Sequence, residues 1–258
     1  MFDNIGLFAF LIFVGLGAGT LGSLLGVGGG IIMVPALTFL NLSPSQAAST
    51  SLIAVMSTSF SSTLEYSRQK RINYKLAVWM GACAVPGGIV GAFLSDYLQE
   101  DSFKLYFGLM LMLTGIYISC KNSVLKDQHA RRRSLPLQIG VFVASFGAGI
   151  VSSLFGVGGG IIFVPAMLLV LGLTMHTAAP TSQLTLLMTA IAGVFTHSAL
   201  GHPDYVQAIA LSAGAFVGAQ IGARLSRATK DVLLQRLLGL VLVGVAVALI
   251  LDALGISY

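Results

Sequence analysis

Ten apolar stretches separated by short polar breaks occupy most of the chain: residues 5–24, 31–40, 47–64, 76–94, 103–119, 137–155, 161–171, 178–200, 206–225 and 232–251. Eight of them approach the ~20 residues that a helix needs to cross a bilayer, and they are too long for the tilted strands of a barrel. The other two, 31–40 and 161–171, are about half that length. Each of these follows a triple glycine, Gly28-Gly29-Gly30 or Gly158-Gly159-Gly160, and carries a proline, Pro35 or Pro165, in its second turn. Glycine opens backbone angles closed to other residues, and proline removes a helix hydrogen bond. The pattern predicts an all-α integral membrane protein in which two short, kinked helices start at glycine breaks.

The short segments lie inside two copies of one motif. Ser23–Leu37 reads SLLGVGGGIIMVPAL, and Ser153–Met167 reads SLFGVGGGIIFVPAM. The likeness extends along both halves at an offset of about 130 positions. Thr50-Ser51 matches Thr181-Ser182, Asn73-Tyr74 matches Asp204-Tyr205, Gly87 and Gly91 match Gly218 and Gly222, and Gly108 matches Gly239. The chain therefore divides into a first membrane repeat (1–120), a polar linker (121–136) containing Arg131, Arg132 and Arg133, and a second membrane repeat (137–258). Glycine-broken segments in corresponding places of two membrane repeats point to a transport site between the halves.

Loop charges bear on how the repeats are related. The loop at 65–75 carries Arg68, Lys70, Arg71 and Lys75 against Glu65, whereas its counterpart at 197–205 carries only Asp204. The loop at 96–104 holds Asp96, Glu100 and Asp101 against Lys104, whereas its counterpart carries Arg224, Arg227 and Lys230 against Asp231. Equivalent loops of opposite bias face opposite sides of the membrane under the positive-inside rule, the signature of an inverted repeat. Inversion needs an odd number of crossings per half, so each short segment counts as a fifth crossing. Linker and basic loops then lie in the cytoplasm and both termini outside. The alternative is eight full helices with the glycine segments re-entrant. Met1-Phe-Asp-Asn carries no base, so the first helix reads as retained rather than as a cleaved signal.

Composition agrees: 56% of the residues are hydrophobic and 9% charged, too few charges to cover a water-facing surface. The net charge of +5 sits in short loops, where orientation signals belong, and does not indicate nucleic-acid binding. Cys83 and Cys120 have neither metal-site nor redox spacing and read as small packing residues. No cofactor is implied, and the pattern allows a homo-oligomer within the lipid bilayer.

Candidate chemistry follows from the glycine breaks. A helix start leaves N–H groups unpaired and partly positive, so Gly28, Gly29, Gly30 and Ile31, with Gly158, Gly159, Gly160 and Ile161, form two cradles suited to an oxyanion. Close helix packing is the alternative, and the reading preferred for Gly87, Gly91, Gly218 and Gly222. The glycine run lacks the spacing of dinucleotide and P-loop motifs. Thr50, Ser51, Thr181 and Ser182 stand in both repeats as candidate ligand contacts, with local backbone bonding as the alternative. Gln183 and Gln220 are costly to expose to lipid and belong to the interior. His197 and His202 read as interfacial, with a proton-coupling role for His197 as the second choice. No acid or base sits firmly mid-helix, so the pathway is neutral and suits an anion. An intramembrane hydrolase using Ser152 or Ser153 requires a base within reach, and the histidines are expected far from these serines. A non-transporting membrane partner or assembly subunit is the remaining alternative.

On both copies of the glycine motif the chain resembles the TauE/SafE family, the sulfite exporters of bacterial membranes. The resemblance implies secondary transport of sulfite, sulfoacetate or related sulfonates, outward across the inner membrane. It does not by itself assign the substrate.

Overall fold

The computed structural model describes residues 4–97, 100–120 and 135–253, so all but the last two residues of the expected linker lie outside it. The described residues are helical, without strands. In the first repeat these are α1 (Asn4–Leu25), α2 (Gly30–Thr38), α3 (Pro44–Arg68), α4 (Tyr74–Leu94) and α5 (Glu100–Cys120). The second contains α6 (Leu135–Phe155), α7 (Gly160–Pro165), α8 (Met175–Ala199), α9 (Tyr205–Ala228) and α10 (Asp231–Ala253). The expected short helices are α2 and α7. α2 passes through Pro35 as an α-helix, whereas α7 ends at Pro165 and continues as a π-helical turn, Ala166–Val170.

Five described helices are long and apolar enough to cross a membrane. Among them polarity follows burial: the α10 window has a mean hydropathy of 2.4 and is 33% buried, while the α8 window has 1.3 and is 61% buried. The most apolar helix is thus the one most open to surroundings, as expected when those surroundings are lipid. Polar side chains are instead gathered inside. α3 is rich in serine and threonine, and Ser49, Thr50, Ser51, Thr58, Ser59, Ser61 and Ser62 are all buried against protein. Phe195 (80% exposed) and Phe13 (73%) face outward. Together these features describe a multi-pass membrane protein.

Close contacts fix the helix directions. The backbones of Ile12, Leu16 and Thr20 lie against Gly214, Gly218 and Gly222, so α1 and α9 run parallel. Gly87 and Gly91 meet Phe146 and Ile150 in the same way, aligning α4 with α6. α3 also runs with α9, since Ser57 donates to the Ser212 carbonyl (3.1 Å) and Ser61 to the Phe216 carbonyl (2.7 Å). α5 and α10 are antiparallel, with Gly108 against Ile250 and Gly115 against Val243. α3 and α8 are antiparallel as well, with Leu52 against Gly193 and both Val55 and Leu186 against Gly28. Because α1 and α3 both run with α9, the segment 26–43 returns the chain between them. α2 accordingly doubles back: Met33 and Leu37 share a buried cluster with Leu11 and Ala18 of α1.

Many glycines outside the motifs serve close packing. A Cβ on Gly218 would stand 2.1 Å from the Leu16 carbonyl oxygen, whereas one on Gly244 would meet nothing within 4 Å. Small residues let membrane helices approach until backbones touch. Gly218→Val is therefore expected to destabilise the α1–α9 pair by about 2–3 kcal/mol. Gly244→Ala should leave the protein unchanged, and thermal melting in detergent compares the two.

Candidate functional site

Both glycine motifs meet at the crossing of α3 and α8. Gly26, Gly28 and Gly29 have φ of 79°, 84° and 87°, and Gly156, Gly158 and Gly159 have 71°, 88° and 69°. Only glycine adopts this left-handed region freely, so the repeated sequence dictates a repeated loop. The loops also touch each other: a Cβ on Gly30 would strike the Gly156 carbonyl oxygen at 2.5 Å, and one on Gly160 would strike the Val27 Cα at 2.5 Å. Gly28 and Gly158 both face Val55 and Leu186, themselves equivalent positions of α3 and α8. The centre in this conformation is closed, with apolar side chains rather than an open cavity over both loops.

The first hydrogen bonds of α2 run from Ile32 (3.1 Å) and Met33 (3.2 Å) to the Gly29 carbonyl, and those of α7 from Ile162 (3.0 Å) and Phe163 (3.1 Å) to Gly159. The N–H groups of Gly30, Ile31, Gly160 and Ile161 thus precede the helical ladder. Left-handed Gly29 and Gly159 are the N-cap residues of these helices.

The hydroxyl candidates bind the repeats to each other. Ser51 donates to the Gly156 carbonyl (2.9 Å), and Ser182 donates to the Gly26 carbonyl (2.7 Å). Thr181 Oγ1 accepts from the Asn73 N–H (3.1 Å), and Thr50 Oγ1 accepts from the Asp204 N–H (3.0 Å). Asn73 and Asp204 also cap α4 and α9 through their side chains. Gln183 has no polar equivalent, because Leu52 occupies its place in the first repeat. Its Nε2 donates to the Gly22 carbonyl at 2.8 Å. Gln220 stands apart, half-buried on α9, with no hydrogen bond to either glycine loop among the described residues.

One correction concerns the histidines. The sequence places them far from the motif serines, yet His197 Nε2 lies 3.3 Å from Ser153 Oγ and 3.0 Å from the Ser153 carbonyl oxygen. The end of α8 folds back over the end of α6. A carbonyl is only an acceptor, so the tautomer with its proton on Nε2 donates to it and takes none from the serine hydroxyl. Its counterpart explains it: Tyr66, equivalent to His197, donates from its hydroxyl to the carbonyl of Ser23 at 2.8 Å. Each repeat thus secures the residue before its glycine loop with a ring from the next long helix. This pairing is missed when the histidines are read alone, although the repeat offset relates position 66 to 197. His202 Nδ1 lies 2.9 Å from His197 Nδ1.

Charged residues gather at the Tyr66 end. The Arg71 guanidinium lies 5.4 Å from the Tyr66 ring centroid. It donates to the His176 carbonyl (2.9 Å), the Gln69 side chain (2.9 Å) and Ser226 Oγ (3.3 Å). Burial lowers its pKa from the ordinary arginine value, with Tyr66 and Asp231 opposing. Glu65 stands between Arg68 (3.9 Å) and Arg224 (3.6 Å), and His176 pairs with Asp231. The basic loops that follow α3 and α9 therefore share one end of the molecule. At the other end Lys104 of α5 and Asp252 of α10 form an ion pair at 2.8 Å.

Comparison with known proteins agrees with this architecture. The family model described as Sulfite exporter TauE/SafE matches residues 11–249. The chain is similar to the Probable membrane transporter protein YunE of Bacillus subtilis, 32% identical over 92% of this chain and 96% of that protein. It is also similar to the Probable membrane transporter protein MJ0441 of Methanocaldococcus jannaschii, 27% identical over 80% of this chain and 78% of the relative. The Probable membrane transporter protein YfcA of Escherichia coli K12 is 24% identical over 95% of this chain and 90% of its own length. No solved structure gives a significant match.

Removing either clasp should be costly. Ser51→Ala and Ser182→Ala each deprive a buried carbonyl of a donor and are expected to destabilise the protein by about 1–3 kcal/mol. Thr229→Ala removes only an exposed bond to the Leu225 carbonyl and should change nothing. Unfolding midpoints in one detergent give the comparison, and equal midpoints for all three variants would refute a clasp.

Proposed function

Because the chain belongs to the sulfite exporter TauE/SafE family, we propose that this membrane transporter exports a small anion, sulfite or an organosulfonate, by alternating access between two inverted repeats. The observation that carries the reading is the meeting of both glycine loops at the α3–α8 crossing, each held by a serine of the opposite repeat. Inversion is supported by the antiparallel run of equivalent helices, α3 with α8 and α5 with α10. It is supported further by the returns through α2 and α7, which make five passes per repeat. The sharing of one end by the basic loops favours a cytoplasmic position for that end and an outside position for both termini in the inner membrane.

The substrate passes between Gly28–Ile31 and Gly158–Ile161, where free helix-start N–H groups of α2 favour negative charge. Thr50, Ser51, Thr181, Ser182 and Gln183 border this passage, and Gln220 lies on α9 toward the basic end. In the closed state the hydroxyls hold the loops. They reach an anion only as the repeats move and those bonds are exchanged. The basic end draws anions from the cytoplasm. The membrane potential drives export: one negative charge leaving a cell with a negative interior gains ~2.3 kcal/mol per 100 mV, close to fiftyfold in concentration. A coupling ion is therefore unnecessary.

Two measurements test the reading. Sulfite or sulfonate efflux from proteoliposomes should rise about fiftyfold in equilibrium ratio per 100 mV of imposed potential. Efflux indifferent to voltage would reject anion uniport. In labelling of intact cells, cysteines at Lys70 and Thr229 should share protection while one at Gly201 is open from outside. Opposite exposure of Lys70 and Thr229 would reject inversion.

A further inference from the structure

We propose that a polar chamber lined by Ser23, Ser59 and Gln183, off the centre toward the basic end, binds the substrate and selects oxyanions that also carry a hydrogen-bond donor. The assignment rests on the reading of the chain as an anion transporter. It goes beyond that reading in naming the side of the centre, the residues and the chemistry they demand.

The argument begins from buried polar atoms without partners. Ser59 Oγ and Gln183 Oε1 are buried and make no hydrogen bond among the described residues, and Ser23 Oγ, also without a geometric partner, lies beside the Tyr66 hydroxyl. All three residues are 0% exposed. A buried hydroxyl or amide oxygen left unpaired costs about 1–3 kcal/mol, so such atoms invite a ligand.

The fold brings them to one level. On α3, Ser59 is one turn beyond Val55, which touches Gly28, and two turns before Tyr66, which bonds the Ser23 carbonyl. On α8, Gln183 is one turn before Leu186, the second side chain on Gly28. α3 and α8 are antiparallel, so Ser59 and Gln183 both lie on the basic-end side of the level where Val55 and Leu186 meet Gly28. Gln183 Nε2 in turn bonds the carbonyl of Gly22, next to Ser23.

The opposite side of the centre has no such chamber. The repeat equivalents of Gln183 and Ser59 are Leu52 and Ala190, both buried and apolar. The repeats therefore differ at these two positions, while the far side keeps Ser152, whose buried Oγ also lacks a partner among the described residues, and the Ser153–His197 pair. Tyr66 and Arg71 close the polar side.

The donor and acceptor inventory defines the ligand. Each serine hydroxyl has a proton to give, which suits the oxygen of an anion. Gln183 Oε1 only accepts, while Nε2 gives one of its two N–H groups to Gly22. A ligand satisfying all three offers both oxygen acceptors and one donor: a protonated oxyanion, or a sulfonate bearing a hydroxyl or amino group. A hard cation is poorly served. The nearby carbonyls of Gly22, Ser23 and Gly26 already accept from Gln183, Tyr66 and Ser182, leaving too few oxygens for a coordination shell.

Radiolabelled sulfite efflux from proteoliposomes, competed by 2-hydroxyethanesulfonate or propane-1-sulfonate, tests the chamber. These competitors have equal numbers of heavy atoms and differ in one hydroxyl. The hydroxylated sulfonate should compete about fivefold better against the wild-type protein, and Ser59→Ala and Gln183→Leu should each bring the two toward equality. Ser59→Ala removes only an unbonded hydroxyl and decides the matter should Gln183→Leu fail to fold. Equal competition in the wild type, or a preference that Ser59→Ala leaves intact, overturns the chamber while the transport reading stands. The latter result would mean that the atoms hold only water. A sodium requirement lost in Ser59→Ala assigns the atoms to a cation and also overturns it. Wild-type vesicles that move neither sulfite nor either sulfonate overturn the transport reading and the chamber together.

Discussion

Backbone carbonyls released by the glycine breaks must find donors where water is scarce. That constraint governs the rest of this structure. A helix satisfies its own backbone, but the left-handed turns at Gly26 and Gly156 leave carbonyls facing the interior. Each is met by a serine of the other repeat, Ser182 or Ser51. The carbonyls just before the turns are met by Tyr66 and His197. The Gly26 and Gly156 carbonyls are thus satisfied only across the repeats, which ties the halves into one unit.

The proposed alternating access would draw on the same arrangement. Bonds of equal kind on the two sides of the α3–α8 crossing can be traded at little net cost, since one hydroxyl–carbonyl bond replaces another. The remainder of the bundle is stiffer. α1 on α9 and α4 on α6 are locked by glycines whose backbones touch. These pairs each join helices from different repeats. Any rocking must therefore move them as blocks while the central loops rearrange.

Departures from symmetry carry the functional detail. Gln183 and Ser59 face Leu52 and Ala190 across the repeat relation, Tyr66 faces His197, and α2 remains α-helical where the second repeat turns to a π-helix after Pro165. A symmetric passage would serve both directions alike. The proposed chamber beside the basic end would give the two approaches different chemistry.

The all-helical membrane class, the two short helices and the packing role of Gly87, Gly91, Gly218 and Gly222 were legible in the sequence, because hydrophobic length and glycine spacing act locally along the chain. Loop charge likewise grouped Arg71 with Arg224, which the fold brings to one end. Which polar side chains are free was not legible. Thr50, Ser51, Thr181 and Ser182 read alike as ligand contacts, yet they are occupied between repeats, while nothing in the sequence set Ser23 and Ser59 apart as unpartnered. The distance from His197 to Ser153 was equally hidden. Hydrogen-bond occupancy depends on residues more than 100 positions apart, and only the packing of α3 against α8 brings those positions together.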